Sequence, residues 1–133
     1  MRVEKFYLAE IMADLNKRLG GKSDKILFGF RQKVSPLRLN DFITVVIPRL
    51  EGRVQQSGSV TIDIACRNKA NGMEDVTRLQ ELADSVTSLF PITGKRYALT
   101  SPSIVLKGED GTGFSHWLVM ARLKVNVTDS HIY

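Results

Sequence analysis

The sequence predicts an α+β fold: a predominantly antiparallel sheet with two helices packed on one face, in the order α-β-β-β-α-β-β, closing on a long C-terminal hairpin. Three observations predict it. Residues 3–19 and 74–90 repeat apolar side chains every three or four positions, the period of a helix with one buried stripe. Other segments alternate apolar and polar residues or form short β-branched runs, the pattern of strands. Strands that follow one another through hairpins are antiparallel, so each helix has only the sheet on which to bury its stripe.

The first helix carries Leu8, Ile11, Met12, Leu15 and Leu19 on its stripe, and Gly20-Gly21 stops it. Residues 26–30 form a short apolar strand, and 31–40 a polar connection punctuated by Ser35-Pro36. Residues 42–47 are rich in β-branched side chains and read as a buried strand that Pro48 ends. After a loop, Val60, Ile62, Ile64 and Cys66 alternate with Thr61, Asp63, Ala65 and Arg67, a strand with one wet face. These two runs form a hairpin.

Asn71 is placed to cap the second helix, with Glu74 three residues on. Val76, Leu79, Ala83, Val86 and Phe90 make its stripe, and Pro91 ends it. A strand over 97–107 is interrupted at Ser101-Pro102, and the turn 109–113 carries an Asp-Gly signal. The last strand runs over 114–128. Trp117, Val119, Ala121, Leu123, Val125 and Val127 line one side; His116, Leu118, Met120, Arg122, Lys124 and Asn126 line the other. At about 3.3 Å per residue such a strand exceeds about 40 Å, against a radius of gyration near 14 Å for a domain of this size. The strand must therefore bend, or its hairpin must project.

The 133 residues make one domain, 1–133, with 43% hydrophobic and 25% charged residues, as in ordinary globular proteins. No apolar run, neither Val45 to Ile47 nor Trp117 to Ala121, is long enough to span a bilayer. The N-terminus lacks the apolar core of a secretory signal. The single cysteine, Cys66, has no partner for an intrachain disulfide. The expectation is a cytoplasmic protein that is not secreted. The net charge is +5, and residues 22–69 hold nine basic residues against four acids, which accounts for the whole excess. Dispersed basic residues of this kind are either solvated strand ends or a surface for phosphates or an acidic protein, with Arg31, Lys33, Arg38, Arg49 and Arg53 as its candidates.

Little in the sequence points to catalysis. Ser115 and His116 are adjacent in a strand and point to opposite faces, so they cannot form a nucleophile–base pair. His131 lies near the C-terminus. No cysteine and histidine spacing fits zinc. The glycines of the turn 108–113 are followed by a strand, not by the helix a phosphate loop needs. No enzyme activity, metal or cofactor is expected. The alternative is a nucleic-acid-binding domain using the basic region 22–69, with Phe28, Phe30 and Phe42 available to stack on bases. No RNA-binding signature or basic recognition helix accompanies them, so DNA contact should be non-specific at most.

The helix ending at Leu19-Gly20-Gly21, the strand pair 42–47 and 59–68, the helix 74–90 with its run from Leu82 to Phe90 before Pro91, and the closing strand with its run from Trp117 to Val127 together give the chain a pattern. That pattern resembles the tail completion or tail terminator proteins of long-tailed bacteriophages and prophages. The likeness covers nearly the whole chain and rests on element order, with no short diagnostic motif. It implies a non-enzymatic virion assembly protein that forms a ring, commonly a hexamer, capping the tail tube and joining it to the head. The implied partners are further copies of itself, the tail tube protein and a head–tail connector protein. Assembly would take place in the host cytoplasm before incorporation into the virion tail. A net charge of +5 departs from what a ring around a DNA channel would carry.

Self-association through edge strands and the terminal hairpin follows from the same reading. Leu118 and Met120 stand in register on the wetter side of the last strand among His116, Arg122 and Lys124. Either they form the apolar centre of an interface with Arg122 and Lys124 as its charged rim, or a helix of the same chain covers them as core.

Overall fold

The computed structural model describes residues 3–28, 39–47, 57–94 and 97–125. In chain order the elements are α1 (Val3–Leu19), β1 (Ile26–Phe28), β2 (Asp41–Val46), β3 (Ser57–Arg67), α2 (Val76–Thr87), β4 (Ile92–Thr93), β5 (Tyr97–Glu109) and β6 (Phe114–Val125). The strands form one sheet in the order β1-β2-β3-β6-β5-β4. All neighbours are antiparallel except β1 and β2, which run parallel. The connection 29–40 between those two has the length of about a dozen residues that a parallel return needs. The sheet is therefore mixed but predominantly antiparallel.

Both helices lie on one face. Ile11, Leu15 and Leu19 recur every fourth residue of α1 and are fully buried. Leu79, Leu82, Ala83 and Val86 are the buried stripe of α2. They share a core with Ile43 and Val45 of β2, Val60, Ile62, Ile64 and Cys66 of β3, Leu99 of β5, and Trp117, Val119, Ala121 and Leu123 of β6. Each strand contributes alternate residues to this face, as the pleat requires. The Tyr97 hydroxyl donates to Asp14 Oδ2 at 2.7 Å and ties β5 to α1. Burial, then this carboxylate, push the Tyr97 phenol above its ordinary pKa. No described helix is long and apolar enough to cross a membrane.

Several boundaries differ from the sequence reading. The cap of α2 is Asp75, whose side chain accepts from the Arg78 N–H. Asn71 instead accepts from the Met73 N–H and closes the turn before the helix. A short-range carboxamide bond of this kind competes with capping. The strand β4 after the cis Phe90–Pro91 bond is an added element, paired at Ile92 with Leu99 and at Thr93 with Ala98. The interruption at Ser101-Pro102 is a register shift in β5, with Ser101 at a φ of 55°.

The terminal hairpin is long but does not project from the sheet. β6 pairs with β3 from Ser57 opposite Lys124 to Arg67 opposite Phe114. It is a central strand, and its length is absorbed by an equally long neighbour. What stands bare is β5, exposed from Ser101 to Lys107.

Candidate assembly surface

The sheet face turned away from the helices carries the residues that alternate with the core. At one end the chain covers this face with its own side chains. Phe42 and Phe114 meet edge to face with centroids 5.2 Å apart, and the Arg67 guanidinium lies 5.0 Å from the centre of the Phe114 ring. His116 packs its ring against Phe42 at 6.2 Å. Nδ1 of His116 is 2.7 Å from Asp63 Oδ1 and Nε2 is 2.5 Å from Asp110 Oδ2. Only 8% of His116 is exposed. Burial alone drives an imidazole toward neutrality, but a carboxylate at each ring nitrogen outweighs it and holds the pKa above the ordinary histidine value. With both nitrogens protonated, each donates to one carboxylate. Burial would raise the Asp110 pKa, but bonds from Thr112 and His116 bring it down to about 2.

This ion cluster fixes the 108–113 turn over the sheet. Asp110 accepts from the Thr112 N–H at 2.7 Å, and its own N–H donates to the Phe114 carbonyl. Gly108, Gly111 and Gly113 all have positive φ, which lets the chain reverse so tightly. Ser115 lies on the other side of the strand and donates to Asn68 Oδ1 at 2.6 Å. The serine and histidine are thus held apart, as the alternation of the strand dictates.

Farther along the same face are Leu118 and Met120, both half-buried, and then Arg122 and Lys124, both exposed. Across β3 the nearest residues are Asp63 opposite Leu118 and Thr61 opposite Met120; on β5, Val105 is opposite Leu118 and Ser103 opposite Met120. Among the described elements no helix lies on this side, since both stripes are spent in the core of the opposite face. Arg31, Lys33, Arg38, Arg49 and Arg53, the basic residues singled out from the sequence, lie outside the described residues, as does Phe30.

A second polar feature sits where β2 and β3 meet the start of α2. It is a cleft of about 330 Å³ lined by residues including Asp41, Cys66, Asp75 and Arg78. Asp41 is 4% exposed. It accepts from the Asp24 N–H at 2.9 Å and from Arg78 through Nε at 2.9 Å and Nη2 at 2.8 Å. Burial, then the Asp41 carboxylate, push the Cys66 thiol up to about 12, so it is a packed side chain and not a nucleophile. Among the described residues no group of three or more His, Cys, Asp or Glu side chains is arranged to hold a metal ion.

Sequence reasoning missed both clusters. Asp63, Asp110 and His116 come together only once β3 is in register with β6 and the turn has folded back, and neither register nor turn direction is written in a local pattern. The nearest usable signal was a histidine on the wet side of a strand that also has an aspartate near its partner strand's centre.

No family model matches the chain, and no curated protein matches its sequence. One solved structure, of a protein whose name states no function, is similar over 89% of this chain and 94% of that chain, with a TM-score of 0.58 and 14% identity. At that identity the likeness is one of fold alone.

Proposed function

We propose that the chain is a non-enzymatic assembly subunit of the tail terminator or tail completion class, which closes with copies of itself into a ring, commonly a hexamer in that class, that caps the tail tube and joins it to the head. The observation that carries this is the pair Leu118 and Met120, half-buried side by side on the sheet face away from the helices, with Arg122 and Lys124 exposed beside them. An apolar centre with a charged rim is the anatomy of a protein interface. Surface of this kind left in water costs about 25 cal/mol per Å² of apolar area relative to burial. A ring requires each subunit to offer two different surfaces, because head-to-tail contacts close only when they are heterologous. The second surface would lie at the ends of the sheet, where the tube and connector proteins also dock.

The test is light scattering and negative-stain microscopy of the purified chain, alone and with a tail tube protein from the same genome. The expected result is a ring, or a ring seated on tube ends when the tube protein is added. A chain that forms no ring with the tube protein present overturns the reading.

A further inference from the structure

The outer edge of β5 is open among the described residues. β4 pairs with it only at Leu99 and Ala98, and Gly94 donates to the Tyr97 carbonyl just beyond. The next stretch holds the chain's run of exposed aliphatics: Ile104 at 40%, Val105 at 45% and Leu106 at 66% exposed. Ile104 and Leu106 fall on the helix side, opposite Val119 and Trp117, and Val105 falls on the open side, opposite Leu118. Apolar side chains on both faces are the mark of an interior strand, not of an edge.

The ladder hydrogen bonds fix which way each residue of β5 turns its backbone groups. The Phe114 carbonyl accepts from the Asp110 N–H, so Phe114 turns its polar groups toward β5. The register of β6 with β3 runs without a shift, so polar groups alternate sides and His116, Leu118 and Met120 also face β5, while Trp117 and Val119 face β3. Residues directly opposite in an antiparallel pair share one behaviour. Val105 therefore bonds inward with Leu118, and Ile104 and Leu106 point their N–H and C=O groups outward, away from the sheet. The outward groups are bounded on both sides. Pro102 has no N–H to offer, and the register shift between Leu106 and Gly108 breaks the alternation.

We propose that this edge is a strand-addition site whose occupant is a second copy of the same chain, paired antiparallel about a two-fold axis through Val105. Only one self-pairing uses both outward residues: Ile104 opposite Leu106 of the second copy, and Leu106 opposite its Ile104. Setting Ile104 opposite itself would bring Leu106 against Pro102, and setting Leu106 opposite itself would bring Ile104 against the bulge. The two-fold register also suits the side chains. Ile104 and Leu106 meet on the helix side, Val105 meets Val105 on the open side, and Lys107 falls opposite Ser103. The whole chain carries +5, which disfavours its own copy in general, but residues 101–109 hold one lysine and one glutamate and no net charge. A strongly charged partner strand would find no complement there. The contact is isologous and closes on itself, so it is separate from the head-to-tail contact of a ring and does not rest on that reading. Pro102 and the bulges keep the pairing short, a common device against open-ended edge association.

The test is register-specific cross-linking of the full chain under a mild oxidant. In the two-fold register the Val105 residues form a non-hydrogen-bonded pair with Cα atoms about 4.5 Å apart, inside the roughly 4.4–6.8 Å range of disulfides. Val105→Cys should give a covalent dimer on a non-reducing gel. Ile104→Cys and Leu106→Cys should each fail alone, since like residues then sit diagonally about 7–8 Å apart, but an equimolar mixture of the two should link. The native Cys66, buried at 1%, takes no part. Ile104→Pro in the Val105→Cys background removes an outward N–H while leaving the bonds to β6, and should abolish linking with near-native circular dichroism. Failure of Val105→Cys to link overturns the proposal. So does linking by Ile104→Cys alone, or linking that survives Ile104→Pro.

Discussion

The Asp63–His116–Asp110 cluster sets the pH range in which the chain is most stable. His116 has its pKa raised in the folded state, so its contribution is fully present below the unfolded value near 6.5 and is lost as pH rises through the folded value. Asp110 is held down to about 2, so its contribution is present above the unfolded value of 3.8 and is lost as pH falls toward about 2. Stability against urea should therefore peak between roughly pH 4 and 6.5 and decline on the alkaline side. His116→Ala should cost about 1–3 kcal/mol, because it leaves two carboxylates facing a hole, and should flatten the alkaline decline. Urea midpoints across that range measure both. An alkaline decline of unchanged size in His116→Ala would assign it to another group. The sequence placed His116 on the wet side of β6, and that was right, because alternation along a strand is local. It read Asp110 only as part of an Asp-Gly turn, and such a signal says nothing of which way the turn folds over the sheet. Asp41 and Arg78 were passed over for a like reason: they are 37 residues apart and meet only through the packing of α2 against the end of β2.

At the scale of elements, periodicity located both helices and every long strand, since each buries one face and repeats accordingly. What it could not supply were terminations that depend on competing polar bonds. Asn71 and Asp75 are both good caps, and the helix uses the one whose carboxylate reaches the Arg78 N–H. Asp75→Ala should cost about 1 kcal/mol, whereas Asn71→Ala, which loses only a turn bond, should cost less; chemical denaturation of the two variants ranks them. The two-residue β4 was illegible because it has no period to detect. It depends on Gly94, where an added Cβ would run into the Tyr97 ring and come within 2.9 Å of Glu10 Oε2. The ring cannot yield easily, since Tyr97 is 3% exposed and bonded to Asp14. Gly94→Ala should destabilise by about 1–3 kcal/mol, the usual cost of overpacking. Pairing that variant with Tyr97→Phe distinguishes a clash with the ring, which persists, from loss of the hydroxyl bond, which does not.

At the scale of the whole molecule, the described residues give the sheet one face spent on two helices and one face left to its own side chains. The sequence foresaw this asymmetry from the two apolar stripes, but not that β6 would be central and β5 the bare strand, because that depends on β3 matching β6 residue for residue. The asymmetry separates three kinds of substitution on neighbouring residues of β6. Val119 is fully buried under the helices, and Val119→Asp should abolish folding, since an unpaired carboxylate there costs several kcal/mol. Leu118 and Met120 lie on the other face, and the double variant Leu118→Asp with Met120→Asp should stay folded, with near-native circular dichroism. Its assembly should nevertheless change. If these residues are the apolar centre of the ring contact, the ring should be lost even with tail tube protein added, while the two-fold contact at Ile104 and Leu106, which uses backbone groups on the outer edge, should survive and leave a dimer in light scattering. Arg122→Glu with Lys124→Glu, which alters only the charged rim, should weaken the ring in a salt-dependent way, because screening acts on exposed charges. An unfolded Leu118/Met120 double variant would place both residues in the core and remove the surface on which the ring reading depends.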